Sequence, residues 1–143
     1  MGSAYETGQE DGLAVCGMLL GGSWVAGSGE GHDVLDKFRL TPLARVRASS
    51  PEQIGAMIAH ADKAFADDML SPHERGAILD RVADLLSARA DEMLGVMQGE
   101  TGFATADCRG EIDRTVQTLR LSAEEARRLC GEMLPVAGAP GQA

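Results

Sequence analysis

Three cysteines and three histidines are the side chains of this sequence best suited to act as nucleophile, base or metal ligand. Cys16, Cys108 and Cys130 form no CxxC pair, so their spacing supports neither a disulfide framework nor a zinc knuckle. Such sparse cysteine usage fits a reduced, cytoplasmic setting. Cys108 and Cys130 share the apolar stripe of a predicted helix. Their 22-residue separation there spans about 33 Å, too far for a mutual disulfide. A thiol among apolar neighbours keeps its proton and stays inert. Cys16 is read as exposed, with nothing nearby to activate it. His32, His60 and His73 fall on a loop, a helix face and a helix start. None has a partner at ligand spacing and HExxH is absent, so no metal ligand is assigned. Neither a GxSxG elbow nor a GxxxxGK[ST] phosphate loop occurs. The Gly27–Gly31 stretch is read as a turn, because no helix follows it to aim an N-terminus at phosphate. Glu124 and Glu125 with Arg127 and Arg128 read as weak surface ion pairs. Glu100 and Glu111 sit near predicted helix junctions and read as holding a backbone turn or an arginine, not as an acid–base pair.

The elements that carry these residues are legible from pattern. Residues 1–17 read as a polar, disordered leader without a signal-peptide layout. Gly21-Gly22 between Met18-Leu19-Leu20 and Ser23-Trp24-Val25 predicts a hairpin, because a primed turn needs positive φ at both central positions. Val34-Leu35 predicts a short strand. Leu43 to Ala48 alternates and predicts a strand with at least one wet face. Ser50-Pro51-Glu52-Gln53 and Ser71-Pro72-His73-Glu74 each place Ser at N-cap, Pro at N1 and a capping-box residue at N3. Apolar periodicity extends the first helix through Phe65 and the second to Gly99 or Gly102. A third helix runs from near Thr105 to Gly131. The predicted fold class is therefore mainly α, three amphipathic helices behind short N-terminal strands.

The chain has 143 residues, 44% hydrophobic and 24% charged, enough for one domain with a real core. Aromatics are only 3%, so that core must be aliphatic. A net charge of −9 repels nucleic-acid backbones and anionic lipid, and neither is expected as a partner. No apolar run reaches the ~18 residues of a membrane helix.

In sequence order, these residues resemble the aldehyde dehydrogenase superfamily. Leu20-Gly21-Gly22-Ser23-Trp24-Val25 resembles its opening hairpin, and Ala61 to Ala66 its A-x-x-A-F stretch. Arg75, Ile78-Leu79, Ala83, Leu85-Leu86, Arg89 and Asp91-Glu92 resemble its long second helix. Glu100-Thr101-Gly102 resembles E-T-G-K, and Gly131-Glu132 with Pro135 the exit. Two departures stand out: Phe103 replaces the usual Lys, and Asp36-Lys37-Phe38-Arg39 replaces the usual Asn-Pro.

The resemblance implies that residues 18–135 are the N-terminal part of the family's α/β fold and 136–143 a cut exit segment. It implies NAD- or NADP-dependent oxidation of an aldehyde to an acid through a cysteine thiohemiacetal, in a homo-oligomer when complete. The family's nucleophile, water-activating glutamate and dinucleotide glycines lie downstream. No catalytic, cofactor-binding or metal residue therefore transfers to this chain, which alone is expected to be inactive and to bind no cofactor. Some members hold a monovalent cation beside an acidic residue before Thr-Gly, the position of Glu100. The alternative is a free-standing helical interaction module that docks on a partner protein.

Overall fold

In the computed structural model, residues 6–131 are described. Six strands precede four helices: β1 Glu6–Glu10, β2 Leu13–Cys16, β3 Met18–Leu20, β4 Ser23–Val25, β5 Gly31–Leu35, β6 Pro42–Arg47, α1 Pro51–Asp67, α2 Pro72–Ala88, α3 Ala90–Thr101 and α4 Thr105–Arg128. The strands form a mixed four-stranded sheet in the order β1-β2-β6-β5 and a separate β3–β4 hairpin.

The hairpin turns where the paired glycines require it, with Gly21 at φ 57° and Gly22 at φ 84°. Residues 6–16, in contrast, are not a disordered leader. They form a second hairpin whose turn, Asp11 at φ 53° and Gly12 at φ 81°, joins the partners Glu10 and Leu13. Asp-Gly is itself a primed-turn signal, and the polarity of its surroundings hides it.

Both serine caps close as read. The Ser50 hydroxyl accepts the Gln53 N–H and the Gln53 side chain accepts the Ser50 N–H; Ser71 and Glu74 repeat the pattern. The long second helix is a correction: it breaks at Arg89 into α2 and α3, giving four helices in place of three. Arg89 leaves helical geometry at φ −109°, ψ 21°, and its guanidinium forks onto Glu92 at 2.8 and 2.6 Å. Asp91 and Glu92 sit in the first turn of α3, where carboxylates favour a new helix start. α3 ends on Gly102 in the left-handed region at φ 72°, as a glycine C-cap requires.

The helical core lies between α2 and α4. Ala83, Cys108, Ile112, Ala123 and Ala126 are its buried members, mostly small, so the two helices approach closely. Gly76 extends that contact: a Cβ there would sit 2.6 Å from the Arg127 guanidinium carbon. Arg127–Asp80 at 2.5 Å and Arg120–Asp84 at 2.9 Å tie the helices at their rims. α1 has no buried residue at all. No described helix is long and apolar enough to cross a membrane.

Candidate functional site

The β5–β6 turn is built around one buried carboxylate. Asp36 is 5% exposed, and its Oδ1 accepts the N–H groups of Phe38 at 2.9 Å and Arg39 at 2.7 Å. Its Oδ2 takes the Arg39 guanidinium at 2.9 Å. These donors, the Arg39 N–H foremost, hold the Asp36 carboxyl below the usual carboxylate range against the opposing effect of burial. The turn closes with Leu40 in the left-handed region at φ 57°, its N–H donating to the Asp36 carbonyl at 2.7 Å.

This turn docks on the end of α3. The Lys37 N–H donates to the Gly99 carbonyl at 2.9 Å, and a Cβ at Gly102 would meet the Lys37 Cβ at 3.2 Å. The Thr101 hydroxyl donates to the Met97 carbonyl and accepts the Phe103 N–H. Between the turn and α3 opens a cleft of about 720 Å³, lined among others by Phe38, Arg39, Leu43, Val96, Glu100 and Phe103. Asp36, Phe38 and Arg39 from one family-departing stretch and Phe103 from the other thus line the same cleft. A more apolar groove of about 450 Å³ adjoins it, with Val82, Leu85, Met93 and Val96 on its walls and Glu100 shared.

The cleft does not gather a nucleophile and a base. Asp36 is spent on its own turn and on Arg39. Glu100 lines the cleft near the end of α3. Glu111, read the same way, pairs with Arg114 of its own helix at 2.5 Å. Cys108 is fully buried on α4, where its Sγ reaches the Phe103 carbonyl at 3.9 Å. Cys130 is a correction: α4 leaves helical geometry at Leu129, so Cys130 falls beyond the helix and is exposed rather than packed in the seam. Cys16 is likewise not in an open leader but partly covered on β2. Burial first, then the charges of Glu6 and Glu100, push its thiol up, away from the reactive thiolate.

His32 lies on β5, His60 on α1 and His73 at the start of α2. His60 Nδ1 bonds the Ala56 carbonyl at 2.8 Å, and its ring packs on the hairpin so closely that a Cβ at Gly21 would fall 2.7 Å from it. Among the described residues no three His, Cys, Asp or Glu side chains group as a metal site, around Glu100 or elsewhere. The glycines at 27 and 29 serve the sheet: a Cβ on either would fall within 2.8 Å of the backbone at Arg47 or Ala48. The predicted exit at Glu132 and Pro135, the segment 136–143 and Met1–Tyr5 lie outside the described residues.

Comparison with known proteins places this geometry. A sequence model described as the aldehyde dehydrogenase family matches residues 24–142. The chain is 35% identical over 125 residues to the 3-sulfolactaldehyde dehydrogenase of Priestia aryabhattai, covering 87% of this chain and 26% of that protein. It is 36% identical over 115 residues to the succinate-semialdehyde dehydrogenase [NADP(+)] 1 of Schizosaccharomyces pombe, covering 79% of this chain and 23% of that protein. The crystal structure of an NAD-dependent benzaldehyde dehydrogenase from Corynebacterium glutamicum superposes with a TM-score of 0.78 at 26% identity, covering 87% of this chain and 28% of that one. The chain spans about a quarter of the length of the relatives it matches.

Proposed function

The chain belongs to the aldehyde dehydrogenase family, and on that premise we propose that it is the N-terminal cover of an enzyme that oxidises an aldehyde to a carboxylic acid with NAD or NADP. The observation that carries this reading is the open apolar surface of the helices, in a chain a quarter as long as its relatives. Ile54, Met57, Ile58 and Phe65 line α1, and Ile58 and Phe65 remain 66% and 69% exposed. Covering a side chain of this size is worth about 1.5–3 kcal/mol. Covering what remains exposed of these four would contribute several kcal/mol, a sizeable share of the ~5–15 kcal/mol stability of a small domain. Such a face is suited to packing against a larger body.

Gly27 and Gly29 pack on the backbone at Arg47 and Ala48, and burial pushes the Cys16 thiol up, so neither is assigned to nucleotide binding or to catalysis. The nucleophile that attacks the aldehyde carbonyl, the group that activates water and the residues that hold the dinucleotide are accordingly assigned to sequence beyond this chain. Its own residues contribute packing: α2 and α4 form a rigid pair, and the Asp36 turn locks onto α3. The substrates named for the relatives are a sulfonated aldehyde, a semialdehyde and an aromatic aldehyde. The complete enzyme is proposed to be a homo-oligomer.

A chimera tests this. Residues 18–135 replace the matching N-terminal segment of the Priestia 3-sulfolactaldehyde dehydrogenase, and nicotinamide reduction is followed with its aldehyde. The expected result is turnover by the chimera and none by the 143-residue chain alone. Turnover by the chain alone would overturn the reading, as would a folded chimera that binds its nucleotide yet does no chemistry.

A further inference from the structure

Helix α1 is gripped near its first turn and thinly packed beyond it. None of its residues is buried. The grip is the Gln53 side chain. Its Oε1 accepts the Ser28 N–H and the Ser28 hydroxyl, each at 2.9 Å, and the Ser50 N–H at 3.0 Å, while its Nε2 donates to the Ala26 carbonyl at 3.0 Å. The β4–β5 connection that it holds is itself fixed to the end of β6. The Gly29 N–H donates to the Ala48 carbonyl and the Ala48 N–H to the Glu30 carbonyl, both at 2.8 Å. Gly27 and Gly29 lie too close to that backbone to carry a Cβ. Further along, the helix stands off. His60 touches the Gly21 turn, and beside it a space of about 570 Å³ opens between α1 and the β3–β4 hairpin, with Leu19, Met57, Ala61 and Ala64 on its walls.

We propose that α1 is a hinged strap: it pivots at Ser50, Gln53 sets its angle, and release of Gln53 lets the far half close on the hairpin. The lever is long. Seventeen residues reach ~25 Å, so a pivot of about 10° carries the far end through ~4 Å. Closure is favoured because it covers Leu19 and Met57, which are exposed in the open arrangement. An element with few buried apolar contacts is also the kind that moves as a unit against a better-packed core. The Gln53 clamp opposes that movement with four directed hydrogen bonds on a fixed platform. This inference is independent of the catalytic reading above.

The test measures the angle. The full chain carries C16S and C130S, with spin labels on Ser23→Cys of the hairpin and Ala66→Cys near the end of α1; Cys108 is fully buried and takes no label. Electron paramagnetic resonance reads the distance between the labels, and backbone hydrogen exchange over residues 51–67 reports whether the helix itself survives. With Gln53 in place one narrow distance is expected. Gln53→Ala cuts all four bonds. It should widen the distribution several-fold and add distances shorter than the original, with the second half of α1 still protected. Gln53→Glu separates clamp from cap. Glutamate keeps the capping box, as Glu74 does on α2, but it cannot donate to the Ala26 carbonyl. It should widen the distribution less than alanine does. Labels on Arg81→Cys and Gln117→Cys, across the α2–α4 pair, should not respond to either change. An unchanged distribution in both variants overturns the proposal, as does one already as wide with Gln53 in place. Widening toward longer distances alone overturns the closure. Loss of protection along all of α1 in both variants would make Gln53 a helix cap and overturn the hinge.

Discussion

Asp36 is the residue on which the cleft depends, because one carboxylate fixes both the turn and the arginine beside it. Its carboxyl is held below its ordinary range, so the stabilisation it provides is fully present above the pKa of an unfolded aspartate. It is lost only as pH falls through the lower, folded-state value. Asp33, held down by the Arg45 guanidinium, behaves in the same sense. The expected outcome is that the Phe38 and Arg39 amides are protected from hydrogen exchange at neutral pH and lose protection, relative to intrinsic rates, in acid. In Asp36→Asn an amide oxygen still accepts both N–H groups, while the charge on Arg39 is no longer matched. Protection should then be lower at neutral pH and no longer fall in acid. An Asp36→Asn variant with the parent's acid profile would show that another carboxyl controls the turn. This role was not legible in the sequence. Asp36 stands among Lys37, Phe38 and Arg39 where the family has Asn-Pro, and nothing in its spacing signals that the turn folds back over it.

Among the elements, α1 and α2 make a natural comparison. Both begin with Ser-Pro and close a capping box, but α2 packs on α4 and α1 buries nothing. Removing a serine cap costs about 1 kcal/mol. In Ser71→Ala the tertiary contacts of α2 should absorb that loss, leaving the helix intact. In Ser50→Ala the first turn of α1 should fray. The Gln53 N–H would lose its acceptor, while the Gln53 side chain would still accept the Ser50 and Ser28 N–H groups and donate to the Ala26 carbonyl. Backbone exchange over residues 51–56 reads the difference. Equal protection losses in the two variants would mean that α1 is held by more than its cap. The helix starts were readable because capping boxes are local chemistry. The break at Arg89 was not, since the apolar stripe runs on across it, from Val82 and Leu85 to Met93 and Val96 along one groove. The Asp11-Gly12 turn was readable in principle, but the polar residues around it resemble a leader more than a strand pair. The parallel seat on β6 that orders it is a tertiary fact. That seat also explains why Arg45 and Arg47 are more covered than Val46, although alternation alone makes the arginine side the wet one.

At the scale of the molecule, the chain carries a small, well-tied α2–α4 core and a larger area of apolar helix surface with no cover of its own. Ile58 and Phe65 of α1 and Leu121 of α4 are among the most exposed of these side chains. A patch of this kind marks a surface suited to being covered. Family membership and a quarter-length match give a consistent account of what covers it. The most direct measurement is a thermal ramp of the purified 143-residue chain with a dye that fluoresces on apolar surface. The account predicts strong dye binding below the transition and a broad, weakly cooperative melt. A sharp two-state melt with no dye bound to the native chain would mean that this polypeptide closes its own core, and would contradict it.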